Sequence, residues 1–370
     1  MILQLMSLVN FKNHENIKIG FSNYVNCFLG NNGIGKTNLL DAIYYLSFCK
    51  SYYNSFESEN IRYGENFFMI KGVFINENDR ELEVDCSLVG GQKKIQFNNK
   101  KYAKLSEHIG KIPIVIITPL DSGIILGGGE ERRRFIDKTL SQLDSTYLFN
   151  LIAYNRTLKQ RNTLLKNLYN TPHSDDLLST YDQKLAELGT QIYFKRKECV
   201  SLIIDNLQNY YDFIAKKNEQ VNIEYSSELD QGSFLDLLSA NRQKDKMLTF
   251  TSSGVHRDDF IFKINSNSLK KSGSQGQQKT FLIALKFAYF DLLKKHLNKV
   301  PILLLDDIFD KLDNERVEQI VRILNKRQFG QIFITDTSFE RIESIMNKVN
   351  VNCKYFMFNK SGLYEEKFKN

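Results

Sequence analysis

One short segment constrains the possible folds of this chain more than any other. Residues 30–37 have the sequence Gly-Asn-Asn-Gly-Ile-Gly-Lys-Thr and match the pattern G-x-x-x-x-G-K-[ST] at every fixed position. A short apolar run ends at Leu29 and a helical pattern covers residues 38–48, which gives the strand, loop and helix order that such a loop requires. The segment therefore predicts an α/β fold around a phosphate-binding loop, and a plain glycine-rich turn is the alternative.

The residue types in this loop are those that bind a nucleoside triphosphate. Glycines allow backbone N–H groups to close around phosphate oxygens. Lys36 is long enough to reach the terminal phosphates, and the Thr37 hydroxyl is an expected magnesium ligand. The predicted nucleotide-binding residues of the loop are Gly30, Asn31, Asn32, Gly33, Ile34, Gly35, Lys36, Thr37 and Asn38.

A second motif places two carboxylates directly after an apolar strand. Residues 302–305 are Ile-Leu-Leu-Leu, and Asp306 and Asp307 follow them. A Walker B magnesium ligand requires a carboxylate at the C-terminal end of such a strand, so Asp306 is predicted to hold the metal together with Thr37. Asp307 is the candidate catalytic residue, because a general base there could orient the attacking water. Without the loop at residues 30–37, the Asp-Asp pair would equally suit a turn or a helix N-cap.

A third motif is a small, polar, glycine-bearing segment that opens a helix. Residues 272–279 are Ser-Gly-Ser-Gln-Gly-Gln-Gln-Lys, and an apolar helical stretch covers residues 281–293. A helix N-terminus of this kind binds anions, although the segment alone could be a loop with an N-cap. Its position about 25 residues before the strand at 302–305 resembles the signature segment of ABC-type ATPases. Ser274, Gly276 and Gln277 are the predicted nucleotide contacts there, and residues 311–313 resemble the D-loop of the same class.

The hydrophobic periodicity changes twice along the chain. Residues 1 to about 120 are rich in strand patterns apart from the helix after the loop, and alternation of strands and helices returns near Val221. Between them, residues 130–215 show helical spacing that is broken by a polar stretch at 171–176, which predicts two helices of about 40 residues, each near 60 Å long. Strands are predicted at 17–21, 24–29, 67–74, 82–89, 113–117, 302–305 and 331–335.

Composition sets broad limits on the function. The chain has 370 residues, of which 42% are hydrophobic and 25% charged, and this excludes a mainly disordered protein. The net charge of +7 permits a polyanionic partner without requiring one. Five scattered cysteines without C-x-x-C spacing support neither a zinc site nor a disulfide framework. No signal-peptide pattern or apolar run of about 18 residues is present, so we expect a cytoplasmic protein that does not bind membranes.

Together these segments resemble the RecF family of bacterial DNA replication and repair ATPases, within the SMC-like branch of ABC ATPases. The resemblance also rests on further segments, which are residues 8–13 (LVNFKN), 30–42 (GNNGIGKTNLLDA), 131–137 (ERRRFID), 254–260 (GVHRDDF) and 273–279 (GSQGQQK). It implies an ABC-type ATPase head, a mixed sheet with a P-loop helix, and an inserted helical arm. The implied domains are the first part of the head (1–125), the arm (126–218) and the second part of the head (219–370).

The resemblance also implies a function and partners. ATP and Mg²⁺ are the implied cofactors, and an ATP-dependent homodimer would bind double-stranded and gapped DNA. RecR and the RecA loading machinery are the implied partners, in recombinational repair, replication-fork maintenance and the SOS response. Any ATP hydrolysis would be slow, DNA-stimulated and located at the dimer interface. The predicted arm is too short for the long coiled coil of chromosome-tethering relatives.

Three departures from common ABC patterns bear on the alternatives. Asp307 stands where many relatives have Glu, Asp336 follows the strand at 331–335 in place of a switch histidine, and residues 118–121 lack the Q-loop glutamine. Asp336 and Thr337 are the candidates to replace that histidine. A transporter subunit should have the switch histidine and the Q-loop glutamine, and both are missing here. Assignment as a P-loop kinase would not account for the segment at 272–279. A non-hydrolysing, ATP-gated DNA clamp remains open.

Basic residues could contact DNA phosphates, since phosphate binding sums many weak cationic contacts. They could also form solvated helix faces or, for residues 132–134, pair with acids of a partner protomer. No base-reading motif is present, so little sequence specificity is expected. The candidates are Arg132, Arg133, Arg134, Arg156, Lys159, Arg161, Lys195, Arg196 and Lys197 in the arm, and Lys50, Arg62, Lys93 and Lys94 before it.

Overall fold

The computed structural model describes residues 1–168, 174–216, 219–309, 312–325, 329–348, 352–359 and 362–369. The chain forms two compact units. The first unit comprises Met1–Asp121, Phe213–Lys216 and Tyr289–Asn370, and the second comprises Ser122–Asp212 and Lys217–Ala288. Residues 219–288 thus group mainly with the helical insertion, whereas the sequence analysis assigns them to the head; the predicted domain boundaries stay a prediction.

The helices and strands have the following bounds. The strands are β1 (Ile2–Phe11), β2 (His14–Gly20), β3 (Val25–Leu29), β4 (Phe67–Ile75), β5 (Glu81–Val89), β6 (Gln92–Phe97), β7 (Lys100–Lys101), β8 (Ile114–Ile117), β9 (Val221–Ser226), β10 (Asp259–Ile264), β11 (Asn267–Ser268), β12 (Ile302–Asp306), β13 (Ile332–Asp336), β14 (Cys353–Asn359) and β15 (Gly362–Lys369). The helices are α1 (Lys36–Phe48), α2 (Ser122–Leu126), α3 (Gly129–Leu143), α4 (Ser145–Lys166), α5 (Ser174–Ala215), α6 (Phe234–Leu248), α7 (Leu269–Ser272), α8 (Gln275–Leu297), α9 (Asn314–Asn325) and α10 (Phe339–Lys348). Each strand predicted from the sequence coincides with or overlaps one of these strands.

A mixed sheet in the first unit carries the phosphate-binding loop. Its strand order is β15-β14-β3-β13-β12-β8; β15 pairs antiparallel with β14, and the other neighbours are parallel. Every residue of β3, β12 and β13 is buried, as expected for central parallel strands. The carboxyl ends of parallel strands lie at the same edge, so the loop after β3, Asp306 and Asp336 come together there. This sheet and the α1 helix confirm the predicted ABC-type head.

A second sheet of the first unit is antiparallel, in the order β2-β1-β4-β5-β6-β7. One of its faces is apolar, because alternate residues of each strand point to the same side. Leu8, Ile70 and Val84 are buried on that face, in the same hydrophobic core as Leu40 and Tyr45 of α1. The helix that begins at the loop is therefore packed in this hydrophobic core.

The second unit contains the helical arm and a small sheet in the order β11-β10-β9. The α5 helix has 42 residues, a length of about 63 Å, and agrees with the predicted second arm helix. The first arm helix was predicted wrongly as continuous: α3 ends at Leu143 and α4 begins at Ser145. Asp144 caps α4 by accepting hydrogen bonds from the backbone N–H groups of Thr146 and Tyr147. Of the predicted break at 171–176, residues 171–173 lie outside the described residues, whereas residues 174–176 already belong to α5, so the break does not extend to them.

Candidate nucleotide and metal site

The loop between β3 and α1 needs glycine at its key positions. Gly30, Gly33 and Gly35 have φ angles of 144°, 82° and 102°, which side chains of L-residues rarely allow. A Cβ atom on Gly35 would also lie 2.3 Å from Nδ2 of Asn13, whereas nothing lies within 4 Å of a Cβ on Gly33. The tip around Gly33 is therefore open, as a loop that surrounds a phosphate must be.

The turn between β1 and β2 supports this loop from outside. Nδ2 of Asn13 donates to the carbonyl oxygen of Ile34 at 2.9 Å, and Oδ1 of Asn13 accepts from Nδ2 of Asn38 at 2.7 Å. Nε2 of His14 lies 3.1 Å from the carbonyl oxygen of Gly35, and burial lowers the pKa of this imidazole. Asn13 and His14 are site residues that the sequence analysis did not assign.

Lys36, which is predicted to bind the nucleotide phosphates, contacts the phosphate-binding loop itself. Its ammonium group donates to the carbonyl oxygens of Gly30 (2.7 Å) and Asn31 (3.0 Å). Burial lowers the pKa of Lys36, and the carboxylates of Asp307 and Asp306 act in the opposite direction. A buried ammonium group beside acceptors that can be exchanged for phosphate oxygens is suited to bind a nucleotide.

The predicted magnesium ligands meet at the edge of the sheet. The Thr37 hydroxyl donates to Oδ1 of Asp306 at 2.8 Å. Oδ1 also accepts from the Thr335 hydroxyl (2.8 Å), and Oδ2 accepts from the Tyr53 hydroxyl (2.6 Å). Oxygen ligands of this kind suit Mg²⁺, which binds few protein groups and keeps several waters. In the described parts of the chain, no three His, Cys, Asp or Glu residues cluster as a metal site.

Two further carboxylates lie near this edge. Asp307 adopts a left-handed backbone conformation with φ of 45°, and its N–H donates to the Thr335 hydroxyl at 2.9 Å. Asp336 is fully buried and accepts hydrogen bonds from the guanidinium of Arg341 and the backbone N–H of Ser338. Both carboxylate oxygens of Asp336 thus already accept hydrogen bonds within the chain. A role for Asp336 in place of the switch histidine stays a prediction.

The signature segment forms the start of α8 in the second unit. Ser274 and Gln277 make a reciprocal capping box: the Ser274 Oγ accepts from the Gln277 N–H, and the Gln277 Oε1 accepts from the Ser274 N–H. Ser274 is exposed, and Gly276 lies in the first helical turn. The capping box fixes an accessible helix N-terminus, which has the polarity to meet an anion. Of the predicted D-loop, Lys311 lies outside the described residues.

Three of the arginines that were candidates for DNA contact are buried in ion pairs within the second unit. Arg161 is fully buried and donates to Asp182 (2.6 Å) and Asp245 (2.7 Å). The other two pair in the same way: Arg196 with Asp137 and Asp258, and Arg132 with Asp259. The hypothesis that these three bind DNA is therefore wrong, since their charges are already compensated inside the unit.

The remaining candidates differ in exposure. Lys197 pairs with Asp230, Lys93 with Glu57, Arg62 with Glu15 and Arg134 with Glu130. The side chains of Arg156, Lys159 and Lys94 are exposed. Arg156 and Lys159 are three positions apart on α4, so they lie on one face of that helix.

Tyr53 and Thr335 are the contacts of Asp306 that the sequence analysis missed. Thr335 had one available signal, because it is the last residue of the predicted strand at 331–335, next to the strand that carries Asp306. Tyr53 had none, since it lies in an irregular segment after α1. Burial and the Asp306 carboxylate raise the pKa of the Tyr53 phenol well above its usual range, so it is a hydrogen-bond donor at neutral pH.

Comparison with known proteins gives one consistent result. Residues 2–360 match the family described as RecF/RecN/SMC N terminal domain. The DNA replication and repair protein RecF of Bacteroides thetaiotaomicron is 45% identical over 367 residues, covering 99% of both chains. RecF of Flavobacterium johnsoniae is 48% identical over 358 residues, covering 96% of this chain and 99% of that protein.

Solved structures agree with the sequence relatives. The recombination mediator protein RecF-ATPrS of the RecFOR pathway has 30% identity and a TM-score of 0.87, covering 98% of this chain and 97% of that chain. The Smc head domain of Pyrococcus furiosus has a TM-score of 0.60 at 15% identity and covers 100% of this chain and 96% of that chain, so it supports the fold alone. Among the helices of the described residues, none is both long and apolar enough to cross a membrane.

Proposed function

The chain belongs to the RecF family of DNA replication and repair proteins, and on that premise we propose that it is an ATP-dependent DNA-binding protein of recombinational repair and replication-fork maintenance. ATP binding is common to this family, and a related structure is of RecF with ATP. The observation that carries the proposal is the convergence of the loop lysine Lys36, the hydroxyl of Thr37 and the carboxylate of Asp306 at one edge of the mixed sheet.

Each of these residues has a task in binding Mg²⁺ and ATP. Lys36 exchanges its two carbonyl contacts for oxygens of the terminal phosphates, and the N–H groups of the loop bind the others. Thr37 and Asp306 would hold the metal. The Thr37 hydroxyl oxygen would bind it through a lone pair, while its proton is still donated to the Asp306 carboxylate. When bound, Mg²⁺ neutralises phosphate charge.

A second copy of the chain completes the site in this proposal. The capped, exposed N-terminus at Ser274, Gly276 and Gln277 binds the terminal phosphate held by the loop of the other protomer. ATP is then shared by two heads, so its binding closes a homodimer. The closed dimer binds duplex DNA near single-strand gaps, chiefly through phosphates and with little sequence preference.

Hydrolysis opens the dimer, and it is slow. Asp307 orients the attacking water as general base, but its side chain is one methylene shorter than the glutamate of many ABC ATPases. A variant of the same proposal is a clamp in which ATP binding alone controls DNA binding. The names of the solved relatives place RecF in the RecFOR pathway, which supports RecR as a partner. Assistance to RecA loading is the outcome that we propose.

The test is size-exclusion chromatography with light scattering, made with Mg²⁺ and ATP, with and without a gapped duplex. A dimer that forms only with ATP, and that retains DNA, is the expected result. Single-turnover hydrolysis with and without the same duplex separates a DNA-stimulated ATPase from a clamp. A chain that stays monomeric with ATP and binds DNA equally well without it would contradict the proposal.

A further inference from the structure

The carboxylate of Asp306 is held by hydroxyl groups from three distant parts of the first unit. Oδ1 accepts from Thr37 and Thr335, and Oδ2 accepts from Tyr53 at 2.6 Å. The Tyr53 hydroxyl is thus the donor on the second oxygen, and it acts together with the two donors on the first oxygen to fix the rotation of the carboxylate about its Cβ–Cγ bond.

The backbone around Tyr53 is tied to the helix that begins at the phosphate-binding loop. Asp41 of α1 is fully buried and accepts from the Ser51 hydroxyl (2.6 Å) and the Tyr52 N–H (2.7 Å). The Ser51 hydroxyl oxygen in turn accepts from the Tyr53 N–H at 3.1 Å. Asp41 also forms a buried ion pair with Lys12 at 2.6 Å. Tyr53 and Thr37 therefore reach Asp306 from positions that the same helix fixes.

We propose that Tyr53 is a positioning residue of the magnesium site, which holds the Asp306 carboxylate in the orientation in which it would bind Mg²⁺. The inference rests on the proposed function, because it assumes that Thr37 and Asp306 hold Mg²⁺. Tyr53 acts only through Asp306. Hydrogen-bonding partners of metal ligands commonly contribute a factor of about 10–100 to metal affinity, and Mg²⁺ tolerates little deviation from its geometry.

The adjacent tyrosine provides a matched control. The Tyr52 hydroxyl donates to Oδ1 of Asp121 at 2.5 Å, and Asp121 follows the neighbouring strand β8. Tyr52→Phe thus deletes the same chemical group one residue away and leaves Asp306 untouched. Tyr53→Phe keeps the ring, which contacts Tyr52 and lies 5.4 Å from the Lys12 ammonium group, and removes only the hydroxyl.

The experiment measures how Mg²⁺ changes the affinity for a non-hydrolysable ATP analogue, by calorimetry in EDTA and then across a Mg²⁺ titration. For Tyr53→Phe we expect the Mg²⁺ concentration at half-maximal effect to rise about 10- to 100-fold. Its affinity in EDTA should stay within about twofold, because Lys36 and the loop are unchanged. Tyr52→Phe should titrate like the wild type, and thermal unfolding should show that both variants are folded.

Two results would overturn the inference. An unchanged Mg²⁺ midpoint in Tyr53→Phe would mean that the phenol only fills space. A lower midpoint would mean that the phenol competes with the metal for Asp306, which is the opposite of positioning. Failure of the proposed function would look different, because the wild type itself would then bind the analogue without any response to Mg²⁺.

Discussion

The backbone N–H of Asp307 donates a hydrogen bond to the hydroxyl oxygen of Thr335 at 2.9 Å. The same hydroxyl donates to Oδ1 of Asp306 at 2.8 Å, so one threonine of the neighbouring strand links the Asp306 carboxylate to the backbone of Asp307. Asp307 adopts a left-handed backbone conformation that non-glycine residues rarely show. The hydrogen bond to Thr335 thus holds the backbone of Asp307 beside the metal-site carboxylate of Asp306.

Asp307→Asn is therefore expected to abolish most ATP hydrolysis while ATP binding persists. The amide keeps the volume of the carboxylate but cannot accept a proton, and loss of a general base commonly costs a factor of about 10²–10⁴ in rate. Lys36, Thr37 and Asp306 are unchanged, so nucleotide and metal should still bind. Single-turnover hydrolysis and calorimetric ATP affinity are the measurements, and Asp306→Asn is the contrast that should weaken binding itself.

The same variant tests the link between the ATP cycle and DNA release. If hydrolysis opens the dimer, Asp307→Asn should dissociate from duplex DNA more slowly than the wild type after an ADP chase. If Asp307→Asn hydrolysed ATP at the wild-type rate, Asp307 would not be the catalytic base. Blocked hydrolysis with DNA release at the normal rate would instead separate release from hydrolysis.

Lys36→Ala should remove ATP binding and leave the fold intact. Its ammonium group contacts the carbonyl oxygens of Gly30 and Asn31, so the main loss is the charge-assisted contact with phosphate. Calorimetry with ATP and Mg²⁺ measures the affinity, and circular dichroism checks the fold. Lys18→Ala, an exposed lysine of β2, is the control and should bind ATP normally. ATP affinity of the wild-type value in Lys36→Ala would refute the phosphate-binding role of the loop.

Ser274→Arg should bind ATP as a monomer but fail to dimerise. A bulky cation at the exposed start of α8 blocks the approach of a second head. The substitution also deletes the helix cap that Ser274 gives Gln277, and Ser274→Ala deletes that cap without adding bulk. Light scattering with ATP and Mg²⁺ should show dimers for Ser274→Ala and monomers for Ser274→Arg. Dimers in both variants would argue against the composite site, and loss of ATP binding by the Ser274→Arg monomer would place Ser274 at its own loop.

Arg161→Ala should destabilise the second unit without a specific effect on DNA contacts. It leaves Asp245 buried without its arginine and Asp182 with Arg242 alone, and breaking such a buried pair costs about 3–5 kcal/mol. Urea unfolding measures the free energy of unfolding. Arg156→Ala on the exposed side of the same helix is the matched control and should leave that free energy nearly unchanged. A stability loss equal in both variants would show that the ion pairs are not responsible.

The sequence predicts the head and the core of the site because both depend on local patterns. The loop at 30–37, the strand before Asp306 and the capped start of α8 each lie within a few consecutive residues. Tyr53 and Thr335 could not be found in that way, since the sequence does not say which distant hydroxyl groups will meet one carboxylate.

Charge and periodicity do not predict two features of the arm, for related reasons. Arg161 has the spacing of a solvated basic residue, and only the fold brings Asp182 and Asp245 to it. The apolar spacing of the first arm helix continues past Asp144, so the pattern predicts one helix where a capping carboxylate starts a second. Both errors arise because burial and capping depend on three-dimensional partners, whereas periodicity records only which side of a helix is apolar.

The position of β3 between β13 and β14 has a consequence for folding during synthesis on the ribosome. All five residues of β3 are buried, yet both neighbouring strands come from residues 332–359. Translation at about 5–20 residues per second takes on the order of tens of seconds to reach them. During this interval the apolar β3 segment lacks the hydrogen bonds to its neighbouring strands. An unpaired apolar segment of this kind is prone to aggregation and suited to chaperone binding. We therefore expect a bound nucleotide to stabilise the folded protein only after β3 has paired with β13 and β14.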